Sequence, residues 1–352
     1  MTHAIEIQSL TKRFRPLRSY RDLLAPARRP ERTAIDGIDL QVPPGQVFGL
    51  LGQNGAGKTT LIRMLTTLLL PTSGSARVAG FDVVRDPRAV RTRIGLVSGD
   101  ERSFYWRLTG RQNLAFFAAL QHLPAAIAPT RIADLAERLG MAEHLDRPFG
   151  HLSTGQRQKL AIVRGLMSEP EILFMDEPTR SLDPISSVAI RAFVADHIVG
   201  ELGRTVILAT HSMPEAEALC RRLAFIQDGR IVAEGSVSEL RRAIGYGVRC
   251  ELRLGAGAGT AAVDLGAIDG VLAILPGGPP AAPSAHGPAP LTVRLTLADE
   301  SAMAGVLRAL VTAGADVLGC ETRDLSLEEI YVHTLAPGTG AAQSLVRQAV
   351  AR

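Results

Sequence analysis

The nine residues GQNGAGKTT have the types and spacing that hold nucleotide phosphates. Gly52, Gly57, Lys58 and Thr59 occupy the fixed places of the pattern glycine, four residues, glycine, lysine, then serine or threonine. Glycines let successive backbone N–H groups converge on an anion, the lysine reaches the terminal phosphates, and the threonine hydroxyl can ligate Mg²⁺. A glycine-rich turn before an ordinary helix is the alternative for the pattern alone. The predicted binding residues are Gly52, Gln53, Asn54, Gly55, Ala56, Gly57, Lys58, Thr59 and Thr60.

A second stretch, LFMDE, ends in two carboxylates that suit phosphate hydrolysis. The apolar run before them predicts a buried strand, and ligands bind where such strands end at the carboxyl edge of a sheet. Asp176 is expected to help hold Mg²⁺, and Glu177 to orient or deprotonate the attacking water. Taken alone, the stretch fits equally well a strand that ends in two solvated acids.

The segments around these motifs have the patterns of the elements that must position them. VFGLL, before the glycine loop, is a short apolar run typical of a strand buried on both faces. Residues 59–70 have apolar side chains at helical spacing and stop at Pro71, which predicts a helix. IGLVSG and TVILATH are further strand candidates, and strands that alternate with helices indicate a parallel sheet.

The remaining segments suggest a two-domain chain of 352 residues. We expect a nucleotide-binding domain over 1–244, with a helical subdomain at about 105–165 and a basic inserted loop at about 15–33. A small α+β accessory domain is expected over 245–336, followed by a C-terminal tail over 337–352. A proline-rich stretch at 276–290 is too poor in bulky residues to pack.

Composition excludes several classes of protein. No stretch of about 18 apolar residues is long enough to cross a bilayer, and the N-terminus lacks a signal-peptide pattern, so we expect a soluble intracellular chain. Cys220, Cys250 and Cys320 are odd in number and far apart in the sequence, which argues against a disulfide framework or a metal site and favours burial as small apolar residues. Eight basic residues lie between Lys12 and Arg32 against two acidic ones, so any anionic surface is expected to meet the chain there.

Further motifs resemble those of the ATP-binding cassette (ABC) family. LSTGQRQKLAIVRG resembles the family's signature loop and helix, with Ser153, Gly155 and Gln156 as its binding residues. MDEPTRSLDP resembles the stretch that ends in the D-loop, with Asp183, and ATHSMPEAE resembles the switch region, with His211. A lone histidine after a strand would ordinarily be a core or capping residue. The resemblance covers residues 46–216 in four ordered motifs.

The resemblance implies a fold and a mechanism. The fold is that of a P-loop NTPase cassette: an α/β core with a mixed sheet and an α-helical subdomain, here followed by the small C-terminal α+β domain. Two copies, identical or similar, pair head to tail, and each ATP with its Mg²⁺ lies between the phosphate loop of one copy and the signature of the other. His211 contacts the γ-phosphate, and the pair separates after hydrolysis.

Three departures from the family pattern concern the site. The glutamine that usually follows the IGLVS strand is absent at Gly99 or Asp100, where Asp100 or Glu101 is a conceivable substitute. Thr154 replaces the more usual glycine of the signature. The aromatic residue that stacks on adenine corresponds to Phe14, with Tyr20 as the weaker alternative, and a core position for Phe14 also stays open.

One stretch within the matched region and one beyond it resemble the ATPase subunits of bacterial drug and antibiotic exporters. ERSFYWRLTGRQNL and DLSLEEIYVHTL carry this likeness. It implies a motor subunit at the inner face of the cell membrane that drives a separate integral-membrane permease, with a drug, antibiotic or lipid-like substrate and no nucleic acid. The aromatic residues Phe104, Tyr105 and Trp106 are a candidate permease-docking site or part of the core. The alternative function is a soluble ABC ATPase that acts on ribosomes or nucleic acid.

Overall fold

The structure is a computed structural model that describes residues 3–14, 31–98, 103–243, 248–255, 263–275, 291–298, 301–323 and 325–335. Several sequence expectations concern residues outside these ranges. They are most of the basic insert with Tyr20, the glutamine position at Gly99–Asp100 with Glu101, the proline-rich stretch and the C-terminal tail.

The chain divides into two compact units, Met1–Ser236 (unit 1) and Val237–Arg352 (unit 2). The sequence-based boundary at residue 244 lies on the other side of a short helix, Val237–Ala243. Arg241 in this helix donates a hydrogen bond of 2.8 Å to the carbonyl oxygen of Leu325. That contact belongs to unit 2, which explains the earlier boundary.

Unit 1 contains ten strands and seven α-helices among its described residues. The strands are β1 (Ile5–Phe14), β2 (Arg32–Val42), β3 (Val47–Leu51), β4 (Ser73–Val78), β5 (Phe81–Asp82), β6 (Ile94–Ser98), β7 (Ile172–Asp176), β8 (Thr205–Thr210), β9 (Arg222–Gln227) and β10 (Arg230–Gly235). The helices are α1 (Lys58–Leu65), α2 (Pro87–Arg91), α3 (Gly110–Leu120), α4 (Ala128–Arg138), α5 (Thr154–Leu166), α6 (Pro184–Ala192) and α7 (Met213–Leu219).

Two sheets form the core of unit 1. The larger has the strand order β10-β9-β3-β8-β7-β6, in which every pair is parallel except β9 with β10. The smaller is antiparallel, in the order β2-β1-β4-β5. All five residues of β3 are buried, as its continuous apolar run predicts. The mixed sheet with helices confirms the expected α/β fold class.

Helix α1 is shorter than the apolar pattern predicts. It ends at Leu65, whereas the sequence pattern continues to residue 70. The Thr66 hydroxyl donates to the carbonyl oxygen of Ile62 at 2.8 Å, and Thr67 adopts a left-handed φ of 62°. The prediction was wrong here because apolar spacing does not report such a local turn.

Helices α3, α5 and α6 of unit 1 begin with side-chain caps. Thr109 caps α3 and Ser153 caps α5, each in a reciprocal pair with a glutamine three residues later. Asp183 caps α6, which continues into a π-helix, Phe193–Glu201. The sequence patterns did not anticipate this π-helix, because its side chains follow ordinary helical spacing.

The β9–β10 hairpin was also not anticipated, although a signal for it exists. Its two strands meet at Asp228 and Gly229, which have positive φ values of 48° and 77°. An Asp-Gly pair between apolar runs is the strongest short-range hairpin signal.

Unit 2 is the expected small α+β domain. Its elements are α8 (Val237–Ala243), β11 (Arg249–Leu254), β12 (Val271–Leu275), β13 (Leu291–Leu297), α9 (Ser301–Thr312), β14 (Val317–Arg323) and α10 (Leu327–Leu335). The antiparallel sheet has the order β12-β13-β11-β14, and β12 was not anticipated. Its core contains Leu252, Leu295, Val306 and Leu310. Among the described residues of both units, no helix is long and apolar enough to cross a bilayer.

The cysteines do not all follow the expectation of burial. Cys220 and Cys250 are buried, but Cys320 is exposed because β14 is an edge strand of the unit 2 sheet. Distance along the sequence was also a poor guide to distance in the fold. The paired strands β11 and β14 bring Cys250 and Cys320 together.

Candidate functional site

The carboxyl ends of four parallel strands meet at one edge of the larger sheet. Leu51 at the end of β3 pairs with Thr210 at the end of β8, and Asp176 at the end of β7 pairs with Ala209 and Ser98. The residues that directly follow β3, β7 and β8 are therefore neighbours. They are the glycine loop, Glu177 and His211.

The glycine loop adopts backbone angles at which a residue with a side chain would be strained. Gly55 and Gly57 have φ values of 87° and 115°. A Cβ on Gly57 would lie 2.8 Å from the carbonyl oxygen of Ala34 in the neighbouring strand β2. Gly57 is the N-cap of α1 and provides no side-chain cap, so the positive end of the helix faces the loop. Gln53, Asn54 and Gly55 are exposed, so the loop is open to a ligand.

Lys58 lies at the centre of the site and is only 5% exposed. Its Nζ donates to the carbonyl oxygens of Gly52 at 2.6 Å and Gln53 at 3.2 Å, and lies 3.7 Å from Glu177 Oε1. Burial lowers the pKa of Lys58 from its ordinary value, against the opposing charges of Glu177 and Asp176. The ammonium group is thus held beside the loop by two carbonyl oxygens and a carboxylate, and a bound phosphate can take the place of these acceptors.

Asp176 and Thr59 form a pair with an unused oxygen. Asp176 accepts a hydrogen bond from the Thr59 side chain, while its buried Oδ1 has no partner in the part of the chain that the structure describes. Burial raises the pKa of Asp176, and the Thr59 bond opposes this. A buried carboxylate oxygen without a donor beside a hydroxyl fits the oxygen ligands that Mg²⁺ prefers.

Glu177 connects Lys58 to His211. Its Oε2 lies 2.6 Å from His211 Nδ1, and its Oε1 faces Lys58. Glu177 has a left-handed φ of 53°, and its N–H donates to the carbonyl oxygen of Ala209 at 2.8 Å. A non-glycine residue in this region costs about 1–3 kcal/mol, and such strain is concentrated at functional sites. In this conformation the carboxylate lies between the lysine and the histidine.

The signature residues form a second cluster with the D-loop. Ser153 Oγ accepts from the N–H of Gln156 at 3.3 Å, and Gln156 Oε1 accepts from the N–H of Ser153 at 3.0 Å. A Cβ on Gly155 would lie 2.5 Å from Ser186 Oγ and 3.7 Å from Asp183 Oδ2, so only glycine fits between the starts of α5 and α6.

Asp183 is fixed by its own capping bond. Its Oδ1 accepts from the N–H of Ser186 at 2.8 Å, and the bonds from Ser186 lower the pKa of this carboxyl. No hydrogen bond or ion pair between described residues joins this second cluster to Lys58, Glu177 or His211. One chain therefore carries two separate parts of the predicted site.

Phe14 is not a core residue. It lies at the end of β1, is 41% exposed, and has the Lys12 Nζ 5.3 Å from its ring centroid. Strand β1 pairs with β2, whose Ala34 and Ile35 border Gly57. Of the two possibilities that the sequence leaves open, burial is excluded and an accessible stacking surface remains.

The three adjacent aromatic residues divide between core and surface. Phe104 is buried and stacks on Phe149 at 4.6 Å, whereas Tyr105 and Trp106 are each 51% exposed. The Arg157 guanidinium, on α5, lies 4.5 Å from the Trp106 ring centroid. Trp106 is thereby in contact with the signature helix, whereas the Tyr105 ring packs against Phe116 of α3.

Asn113 holds the backbone of this aromatic segment in place. The asparagine is fully buried in α3, and its Oδ1 accepts from the N–H of Tyr105 at 2.8 Å. Its Nδ2 lies within hydrogen-bond distance of three carbonyl oxygens, those of Tyr105, Leu108 and Thr109.

Sequence reasoning missed Glu215, which connects two of the motifs. This glutamate on α7 is 1% exposed, and its Oε1 accepts from the Thr179 hydroxyl at 2.7 Å. Thr179 follows Glu177, and α7 follows His211, so the bond fixes the two segments relative to each other. Serine followed three residues later by glutamate is a capping-box signal, and Ser212 Oγ does accept from the N–H of Glu215. The glutamate side chain, however, bonds to Thr179.

Comparison with known proteins places these motifs in a family context. The family model described as ABC transporter matches residues 35–180. The daunorubicin resistance ATP-binding protein DrrA3 of Streptomyces coeruleorubidus is 38% identical over 305 residues, which cover 86% of this chain and 91% of that protein. The daunorubicin/doxorubicin resistance ATP-binding protein DrrA of Streptomyces peucetius is 43% identical over 215 residues, covering 61% of this chain and 64% of that protein.

A solved structure is also similar. cbiO1 from Clostridium perfringens, described as part of the ABC transporter complex cbiONQ, superposes with a TM-score of 0.57 at 26% identity. The superposition covers 70% of this chain and 95% of that chain. The similarity is therefore that of one whole cassette.

Proposed function

The chain belongs to the ABC transporter family as an ATP-binding, ATP-hydrolysing subunit, and we propose that it powers a drug or antibiotic exporter through a separate membrane permease. One observation carries the exporter assignment. The similarity to the Streptomyces coeruleorubidus resistance protein spans 305 residues, more than the 236 residues of unit 1, so it extends into unit 2. Similarity in both units is more specific evidence for the exporter branch than similarity in the cassette alone.

The glycine loop and Lys58 bind the phosphates of ATP in this proposal. The N–H groups of the loop and the start of α1 receive the phosphate oxygens. Lys58 exchanges its bonds to the carbonyl oxygens of Gly52 and Gln53 for bonds to phosphate. Phe14, exposed at the end of β1, is assigned to stack on the adenine base.

Mg²⁺ is assigned to Thr59 and Asp176. The partnerless Asp176 Oδ1 is the observation that supports this assignment. Bound there, the ion would neutralise charge on the phosphates during transfer. The raised pKa of Asp176 follows from burial, and a nearby cation favours its ionised form.

Glu177 and His211 are assigned to the hydrolytic step. Glu177 orients water or accepts its proton as the water attacks the γ-phosphate. The short contact with His211 Nδ1 fixes the direction of the carboxylate. His211, which is half exposed, can then contact the γ-phosphate with its other ring nitrogen.

The second cluster is assigned to the ATP of a partner chain. In the described part of the chain, no acceptor meets the N–H of Thr154 or Gly155 at the start of α5. A helix N-terminus of this kind attracts an anion. Ser153, Gly155, Gln156 and Asp183 would therefore complete the site of a second copy, which makes the active form a dimer.

The exposed aromatics are assigned to the permease contact. Asn113 holds the backbone of Tyr105, and the neighbouring Trp106 contacts α5 through Arg157. A displacement of the signature helix on ATP binding would therefore move the surface that the permease touches. The chain would act at the inner face of the cell membrane.

The test is to capture the partner with a slow variant. Tagged Glu177→Gln is expressed in a native-like host, and membranes are solubilised with ATP and Mg²⁺ for co-purification and mass spectrometry. A stoichiometric polytopic membrane protein is expected. Ribosomal proteins or nucleic acid without a membrane partner would instead support the soluble alternative.

A matched pair of surface variants tests the docking assignment. Trp106→Ala in the Glu177→Gln background should reduce the captured permease, while Val84→Ala, another exposed apolar position, should not. Equal capture by both variants would contradict the proposed contact but not the exporter function.

A further inference from the structure

Three sulfur atoms lie together in unit 2. Cys250 Sγ is 3.8 Å from Cys320 Sγ, and Met303 Sδ lies 3.6 Å from the first and 3.3 Å from the second. Cys250 is in β11, Cys320 in β14, and Met303 in the first turn of α9. This sulfur cluster contains both cysteines of unit 2.

The strand register explains why these residues meet. Cys250 is opposite Thr322, and Cys320 is opposite Leu252, in the antiparallel pair β11–β14. The two cysteines are therefore diagonal neighbours on one face of the sheet. Met303 belongs to the same apolar core as Cys250 and Leu252, so α9 covers this face.

The same register argues against a disulfide. Diagonal neighbours on antiparallel strands have Cα atoms about 7–8 Å apart. Disulfides usually join Cα atoms about 4.4–6.8 Å apart. A bond between the two sulfurs would therefore require the strands to move, whereas an ion between them would not.

We propose that the sulfur cluster binds one soft monovalent metal ion, Cu⁺. A point equidistant from three atoms at the measured separations lies about 2.1 Å from each, close to the metal–thiolate distance of about 2.3 Å. Two thiolates and a thioether are the soft ligands that select Cu⁺. Zn²⁺ prefers four N or S ligands, and within the described residues no group of three His, Cys, Asp or Glu side chains is placed to hold a metal.

The cluster has one protected side and one open side. Cys250 and Met303 are buried, and Cys320 is exposed, so an ion can enter from solution past Cys320. Binding converts two thiols to thiolates and releases their two protons to solvent, and the complex with Cu⁺ carries one negative charge. The apparent affinity therefore rises with pH.

The experiment titrates the full chain, reduced and without oxygen, with Cu⁺ in competition with a chromophoric Cu⁺ chelator. We expect one Cu⁺ per chain and three sulfur neighbours in copper X-ray absorption. Met303→Leu keeps the side-chain volume and removes the thioether, so the affinity should fall about tenfold or more and the sulfur count should fall to two. Cys320→Ser, at an exposed position, should abolish binding without disturbing the core.

Two controls separate the cluster from the rest of the chain. Met141→Leu, buried in unit 1, and Cys220→Ala, the third cysteine, should leave both stoichiometry and affinity unchanged. A thermal melt checks that each variant folds.

Three outcomes would overturn the proposal. The first is a wild-type chain that loses all Cu⁺ to the chelator. The second is a folded Met303→Leu chain with unchanged affinity and sulfur count. The third is rapid formation of a Cys250–Cys320 disulfide under mild oxidation, which would contradict the register argument.

Discussion

Adding one methyl group at Gly155 should separate the signature helix from the D-loop. In Gly155→Ala the new Cβ would lie 2.5 Å from Ser186 Oγ and 3.0 Å from Ser186 Cβ. Ordinary contacts of a Cβ are 3.4–4 Å long. The Ser186 hydroxyl can rotate away, but the contact with Ser186 Cβ requires the starts of α5 and α6 to move apart by about 0.4 Å. Both helix starts belong to the cluster that we assign to the partner's ATP.

The energetic cost follows from two opposing effects. Overpacking of this kind costs about 1–3 kcal/mol. Alanine in place of a helical glycine stabilises the helix by about 0.5–1 kcal/mol. The free energy of unfolding should therefore fall by about 1 kcal/mol, within a range of about 0–2.5 kcal/mol, and ATP turnover should fall because the two helix starts are displaced.

The assay combines urea unfolding with steady-state ATPase rates. Gly305→Ala on α9 is the matched control, because its Cβ would meet Ile268 at an ordinary 3.6 Å, and it should leave stability unchanged or slightly raised. Ser186→Gly in the Gly155→Ala background removes the two close contacts of the methyl group and keeps the N–H bond to Asp183, but it loses the side-chain bond from Ser186 to Asp183. It should restore most of the stability and turnover.

The result that would refute this reasoning is a Gly155→Ala chain with wild-type stability and turnover. Failure of Ser186→Gly to restore stability would also refute it, because the cost would then arise elsewhere. Recovery of stability without turnover would instead indicate that the methyl group blocks the ligand directly.

Three further predictions concern other parts of the chain. Lys58→Ala should reduce ATP hydrolysis to background, and normal turnover would remove the central assignment. Asn113→Ala should lower the free energy of unfolding by about 1–3 kcal/mol, since buried N–H and C=O groups lose their partner, and should raise protease cleavage near Tyr105. Glu329→Gln should destabilise unit 2 at neutral pH. Burial raises the pKa of Glu329, but the bonds from Ser326 and the charges of Arg249 and Arg323 outweigh it, so the pKa lies below its ordinary 4.5. The stabilisation is therefore present above pH 4.5 and lost as the pH falls through the folded-state pKa, so urea melts of the two chains should converge in acid.

The sequence predicts those parts of the site that sit at strand ends. β3, β7 and β8 are continuous apolar runs, and in a parallel sheet such runs end at a common edge. The glycine loop and Asp176 are therefore expected at that edge from the apolar runs, whereas His211 was assigned to the site through the family resemblance. Ser153 and Asp183 were named as binding residues through their resemblance to family motifs, and the structure adds that each caps a helix.

Contacts between residues that are distant in the sequence could not be predicted from local patterns. The contacts of Glu177 with Lys58 and His211 join residues 119 and 34 positions apart, and no local pattern reports them. Glu215 carried a capping signal, but its side chain bonds to Thr179 instead. The sulfur cluster was missed for the same reason. Its two cysteines are 70 residues apart in the sequence, and only the pairing of β11 with β14 brings them together.

The strand order of the larger sheet also has a consequence during synthesis. β3 has β8 and β9 as its neighbours, and both are translated more than 150 residues after it. At about 5–20 residues per second, β3 waits about 8–30 s for its first partner in this sheet. During that time an apolar strand with unpaired edges is exposed to other nascent chains. A growing chain shorter than about 210 residues can therefore carry the phosphate loop but cannot close the sheet that supports it, which makes this interval the one in which a chaperone matters most.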